Sequence, residues 1–219
     1  MLIVSGADYA ALHAPHEALL RAALEAASPS GARVALDLAC GPGAKTPWLA
    51  ALAAPGALVL GLDRDRGALR AALPGCWAVA DAHALPLRAG SVDLAWCVAA
   101  LGLFADQELA LAELRRVLRP GGTLVVAVAG ERWVRLRPPP EERAAPGLPW
   151  PPPPADGLGE ELGAALARAG LRSVGLAAYL LEPAGMAPRD ALLPLVEVVG
   201  AEPCEPEPLP VLLVAAGRA

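Results

Sequence analysis

Val34-Ala35-Leu36-Asp37-Leu38-Ala39-Cys40-Gly41-Pro42-Gly43 reads as a strand that runs into a tight turn and then a helix. The run Arg33 to Leu38 is short, apolar and bounded by a glycine-rich turn, which is the pattern of a buried strand. Gly41 and Gly43 lack a Cβ, so the backbone there can take unusual φ/ψ and let a ligand come close. A helix opening after them presents free N–H donors at its start, which suits a carboxylate, a phosphate or a ribose.

Outward from this stretch, apolar runs alternate with helical segments. Thr46 to Ala53 is helical, and Ala57 to Leu62 is apolar and ends at Asp63. Asp65 to Leu73 is helical, Cys76 to Ala80 is apolar and ends at Asp81, and Val92 to Val98 is a further strand. Asp106 is a plausible N-cap. After it, Ala110, Leu111, Leu114, Val117 and Leu118 form a buried helical stripe, stopped by Pro120-Gly121-Gly122. Thr123 to Ala129 is a fifth strand, Leu158 to Ala169 a helix closed by Gly170, Arg172 to Leu181 a sixth strand and Leu209 to Ala216 a last one. Ala10 to Ala27 is a first helix, and Arg189 to Val199 reads as a helix interrupted at Pro194. Pro138 to Pro154, with nine prolines, is neither a regular helix nor a central strand and reads as a surface loop. The alternation predicts an α/β fold, a mostly parallel sheet of seven strands with helices on both faces. The expected organisation is one domain over 1–219, with a core at about 31–129, the proline-rich loop 138–154, and a C-terminal part 158–219.

Composition removes several alternatives. Apolar residues make up 55% of the 219 and mean hydropathy is +0.44, yet the longest uncharged apolar stretch, from Leu94 to Ala105, is too short to span a membrane. No basic, then apolar, N-terminal segment marks a secretory signal, and a cytoplasmic protein is expected. A net charge of −5 argues against nucleic-acid binding, with Arg132, Arg135 and Arg137 read as a solvated strip. The four cysteines show no C-x-x-C spacing, so no metal site is expected. Asparagine is absent and Gln107 is the only glutamine, which fits a heat-adapted source and equally a GC-rich genome.

Three features sit at the ends of successive strands, where open parallel sheets bind ligands: the glycine turn, Asp63 and Asp81. Asp63 can accept from two ribose hydroxyls, and Asp81 from an exocyclic amine such as adenine N6. Leu36-Asp-Leu-Ala-Cys-Gly-Pro-Gly43 resembles the first motif of class I S-adenosylmethionine-dependent methyltransferases. Leu60-Gly-Leu-Asp63 resembles their second-strand acidic motif. Ala80-Asp81-Ala82 with Leu85-Pro86-Leu87 resembles the adenine motif and its loop. Ser91-Val92-Asp93-Leu94 and Arg116-Val-Leu-Arg-Pro-Gly-Gly122 are similar to the entries of the fourth and fifth strands, and the run points to the small-molecule, type 11-like branch.

The resemblance implies S-adenosyl-L-methionine as cofactor and a small-molecule acceptor. Asp37 would set the cofactor loop and reach the methionine amino group through water. Ala39, Cys40, Gly41 and Gly43 would line the methionine and ribose. Asp63 would hold the ribose hydroxyls with Arg64 beside the adenine. Asp81 and Ala82 would contact the adenine, and Cys97 would flank the methionyl part. Ala39 departs from the motif, which often has glycine there, and 182–208 departs from the family's short hairpin. No obligatory base is evident. His83 is a candidate, against a solvated loop histidine. His13 and His16 read as an exposed helix face. Tyr9, Trp96, Phe104, Trp133 and Trp150 are aromatics that could shape an acceptor pocket, with Trp96 and Phe104 read rather as core and Trp133 and Trp150 as the better pocket candidates.

The glycines allow two rival readings. Ala39, Gly41 and Ala44 approach an NAD fingerprint, which leaves Asp81 without a role. Ala39 to Thr46 has P-loop spacing, but alanines stand at both glycine positions, and Lys45 then reads as an exposed first-turn residue. A non-catalytic cofactor-binding protein stays open beside the enzyme. The acceptor, its reacting atom and the oligomeric state are not encoded legibly.

Overall fold

The computed structural model describes residues 17–72, 74–132, 158–180, 192–193 and 209–219. The strands are β1 (Ala32–Leu38), β2 (Ala53–Asp63), β3 (Cys76–Val79), β4 (Val92–Val98), β5 (Leu118–Arg132), β6 (Arg172–Leu180), β7 (Leu192–Leu193) and β8 (Leu209–Arg218). The helices are α1 (Glu17–Ala27), α2 (Thr46–Leu52), α3 (Arg66–Arg70), α4 (Gln107–Val117) and α5 (Leu158–Arg168). They build one sheet in the order β3-β2-β1-β4-β5-β8-β6-β7. β1 to β5 pair in parallel, and β8 runs antiparallel between β5 and β6. This is the expected Rossmann-like sheet of seven strands, with a two-residue strand added at the β6 edge.

Alternation along the central strands makes the two cores. On β4, Leu94, Trp96 and Val98 face the side covered by α1 and α2, with Leu20, Leu24 and Leu49 beneath them. Ala95 and Cys97 face the opposite side, against Leu111 and Leu114 of α4 and Leu162 and Leu166 of α5. β5 repeats the pattern, with Val125 and Ala127 on the first side and Leu124 and Val126 on the second. Both faces are therefore apolar, which is why these strands read as continuous hydrophobic runs. Trp96 is fully buried and its indole N–H donates to Ser28 Oγ at 2.9 Å, so its expected core place holds.

Local rules set the boundaries. Asp106 caps α4, its carboxylate accepting from the Leu109 N–H at 2.8 Å. Asp65 does the same for α3 through Gly67 and Ala68. Gly170 takes φ +85° just after α5. The helix expected over Arg189 to Val199 is corrected at the two residues described there: Leu192 and Leu193 are extended and pair with Tyr179 and Ala178. Leu193 precedes Pro194, whose ring disfavours helical geometry in the residue before it. Residues 10–16 of the first helix, the loop 138–154, and Tyr9, His13, His16, Trp133, Arg135, Arg137 and Trp150 lie outside the described residues, as does the rest of 182–208.

Candidate cofactor site

A cavity of about 250 Å³ opens at the carboxyl ends of β1, β2, β3 and β4. β1 has β2 on one side and β4 on the other, so the chain direction across the sheet reverses there. That reversal is where open α/β sheets leave room for a ligand.

The glycine turn forms the cavity floor. Ala39, Gly41 and Gly43 all take positive φ, at +56°, +55° and +76°. For Ala39 this is a strained conformation, costing about 1–2 kcal/mol relative to ordinary helical or extended backbone. Asp63 braces the turn: its Oδ2 accepts from the Gly41 N–H at 2.7 Å and its Oδ1 from the Asp65 N–H at 2.8 Å. A carboxylate has acceptor capacity beyond these two bonds. Gly43 serves a neighbour. A Cβ built on it would lie 2.3 Å from the Trp77 ring, and one on Gly61 would lie 2.2 Å from the same ring. Trp77, on β3, thus packs flat on backbone that only glycine leaves bare.

Asp37 ends β1 on the α2 side. It is buried, and the Thr46 hydroxyl donates to its Oδ2 at 2.5 Å. Burial pushes its carboxyl up to about 6, while the Thr46 bond and the nearby Lys45 charge pull the other way. Lys45 is half-buried and lines the cavity, which corrects its reading as an exposed helix residue. Burial lowers its pKa, and the Asp37 and Glu17 charges oppose that shift.

At the other end of the cavity, Asp81 accepts through Oδ1 from the His83 backbone N–H at 2.9 Å and meets His83 Nδ1 at 2.6 Å. The backbone bond, then the ring bond, hold the Asp81 carboxyl below its ordinary range. His83 Nε2 accepts from the Asp106 backbone N–H at 3.2 Å. Both ring nitrogens are engaged, so His83 fastens the β3 loop to the start of α4. Phe104 stands edge-on to the ring at 6.0 Å. It lines the cavity as well as touching the core, so both alternatives of its sequence reading apply.

Of the expected site residues, Asp37, Ala39, Cys40, Gly41, Asp63, Arg64, Asp81 and Ala82 line the cavity together, with His83. Gly43 and Cys97 do not. Cys97 is corrected by strand parity. It points to the α4 and α5 side, where burial pushes its thiol up to about 12, and its neighbours Val98 and Ala99 reach the cavity instead. The Cys40 thiol is also pushed up by burial, so neither thiol is a nucleophile. Lys45 and Leu103 were missed as lining residues. The signal for Lys45 was its place two residues beyond Gly43 in a chain with no other lysine. Among the described residues no cluster of side chains could hold a metal ion.

Residues 36–126 match the model of a family described as a methyltransferase domain. The chain is 41% identical over 102 residues to a ubiquinone/menaquinone biosynthesis C-methyltransferase of Acidiphilium cryptum, covering 43% of this chain and 41% of that protein. It is 40% identical over 90 residues to a malonyl-[acyl-carrier protein] O-methyltransferase of Pseudescherichia vulneris, covering 41% and 36%. The chain thus spans less than half the length of these curated relatives. Its fold is similar to that of a SAM-dependent methyltransferase, possible histamine N-methyltransferase, from Thermotoga maritima. The TM-score is 0.62 at 18% identity, covering 96% of this chain and 94% of that one. Motif order, sheet order and the matched segment agree: residues 36–126 match a methyltransferase domain, and the fold is similar to that of a SAM-dependent methyltransferase.

Proposed function

We propose that the chain binds S-adenosylmethionine and transfers its methyl group to a small-molecule acceptor. The observation that carries this reading is the convergence of Asp37, Asp63 and Asp81, from three neighbouring strand ends, on one cavity floored by the positive-φ turn. The donor set fits the cofactor: Asp63 for ribose hydroxyls, Asp81 and Ala82 for the adenine, and a buried carboxylate at Asp37 for a cationic amino acid end.

When bound, the cofactor supplies a methyl already activated on a sulfonium. The chain's own residues then bind, orient and exclude water. Asp63 couples ribose recognition to loop shape, because the same carboxylate holds Gly41. Val98, Ala99, Leu103 and Phe104 supply an apolar wall after β4. His83 orients Asp81. The three similar proteins reported above are named for transfer to carbon, to oxygen and, as a possibility, to nitrogen. The acceptor atom is therefore not carried by the shared core.

Thermal unfolding with ligand tests the cofactor half. S-adenosylmethionine and S-adenosylhomocysteine at 100-fold above Kd should stabilise the fold by about 2.7 kcal/mol, and NAD should leave it unchanged. A shift with NAD alone, or with none of the three, overturns the reading. Formation of S-adenosylhomocysteine over a panel of acceptors separates an enzyme from a cofactor-binding protein that does not catalyse.

A further inference from the structure

Trp77 lies beside Gly61 in the register of β3 on β2. Leu60 and Leu62 pack on the α4 and α5 side, so Gly61 and Trp77 share the opposite face, toward α2. Gly61 takes ordinary strand backbone, so its missing side chain serves space alone. That space holds the six-membered ring of Trp77 and the Cys40 thiol, whose Sγ is 2.9 Å from where a Gly61 Cβ would stand. The same end of the indole lies against Gly43. The ring therefore stands behind the turn from Cys40 to Gly43. It lines no part of the cavity, whereas Cys40, Gly41 and Pro42 do.

The turn follows the strained φ of Ala39, and such backbone persists only where its surroundings hold it. Asp63 holds it at Gly41. The same carboxylate is the ribose acceptor, so that hold is shared with the ligand. Trp77 is a hold on which no ligand draws. We propose that Trp77 is a positioning residue of the cofactor site: its ring keeps the Cys40–Gly43 turn in the binding shape before ligand arrives, which rests on the S-adenosylmethionine reading above. A turn already in place loses no freedom on binding, and the saving appears as affinity. Were the turn in its binding shape about one tenth of the time without the ring, affinity would fall about tenfold.

Trp77→Phe withdraws the far ring from Gly43 and Gly61 and keeps an aromatic residue on the strand. By calorimetry, at a temperature where each variant is folded, it should weaken S-adenosylhomocysteine about tenfold. Gly61→Ala drives a methyl into the ring and the thiol, and should weaken the ligand by a similar factor. The two losses should not add. With the ring shortened the methyl fills its space, and the double variant should bind within about threefold of the unsubstituted chain. Hydrogen exchange reads the turn without ligand. The Gly43 N–H donates to the Cys40 carbonyl at 2.9 Å and should be protected in the free chain. Trp77→Phe should speed its exchange about tenfold and leave the amides of β1 unchanged. A ring that only fills the core would lower the unfolding temperature while affinity and Gly43 exchange stayed constant. That result, or additive losses in the double variant, overturns the assignment with the cofactor reading intact. Unprotected Gly43 in the free unsubstituted chain overturns it as well. Failure of the unsubstituted chain to bind S-adenosylhomocysteine overturns the cofactor reading, and the exchange rates still decide whether the ring holds the turn.

Discussion

Burial pushes the Asp37 carboxyl up to about 6, against a hydroxyl and an ammonium that pull it down. At pH 7 the folded chain thus carries a charge that weakens it. The folded state keeps this proton through the window from 3.8 to about 6, where the unfolded chain has already lost it. Stability from this group is therefore highest below the window and falls as pH rises through it. Above about pH 6 the full penalty applies, about 3 kcal/mol at 1.36 kcal/mol for each unit. Asp37→Asn removes the charge and keeps an acceptor for the Thr46 hydroxyl. It should raise stability at pH 8 by about 1–3 kcal/mol, with the gain fading toward pH 4. The same variant should lose affinity for S-adenosylhomocysteine, since an amide cannot answer an ammonium. Unfolding curves across pH decide the first point: a gain that is the same at pH 4 and pH 8 would mean the carboxylate is not what weakens the fold. Asp37 was legible as a loop-setting residue from the strand pattern and the motif, but its burial was not. Burial depends on α2 folding back over the strand end, which no local pattern states.

The loop after β3 is held by α4 in two places. His83 ties it to the helix start, and a bidentate Arg116–Glu113 pair grips it one turn from the helix end. Arg116 donates to the carbonyls of Leu85 and Leu87 at 3.0 and 2.9 Å, and Glu113 accepts from the Leu85 N–H at 2.7 Å. Two motifs that are distant in the chain, Leu85-Pro86-Leu87 and the run from Arg116, are thus one structural unit. Their order could be read from the sequence, but their contact could not, because side-chain reach across 30 residues leaves no periodic trace. Arg116→Met strands two carbonyls and a carboxylate, and should cost about 1.5–3 kcal/mol in urea unfolding. It should also weaken ligands that carry adenine, because Asp81 and Ala82 stand on the loop it releases. Unchanged stability together with unchanged affinity would show that the grip does not set the loop.

Across the whole molecule, legibility follows the period of the pattern. β1, β3, β4 and the stripe of α4 agree closely with the sequence pattern because both faces of the sheet are buried and the helix stripe is regular, whereas β2 and β5 begin earlier than expected, at Ala53 and Leu118, the latter expected in the helix. Cys97 departs from expectation because strand parity turns it to the α4 and α5 side, and Lys45 because its half-buried place depends on the turn before it. The C-terminal strand was visible as an apolar run, but its position was not: it leaves the parallel order and inserts between β5 and β6. There it pairs with β5 from Thr123↔Arg218 to Arg132↔Leu209, and Ala219 exchanges backbone bonds with Gly121 and Gly122. It also brings Val214 into the core under α1. Removing residues 209–219 would therefore open the middle of the sheet, expose the unpaired edge of β5 and cut β6 and α5 away from it. The shortened chain should lose its cooperative thermal transition and aggregate, although the cavity-lining residues are all retained. A cooperative transition with S-adenosylhomocysteine binding intact would instead mean that β1 to β5 with α1 to α4 fold on their own, and that the antiparallel part is an addition to a self-sufficient core.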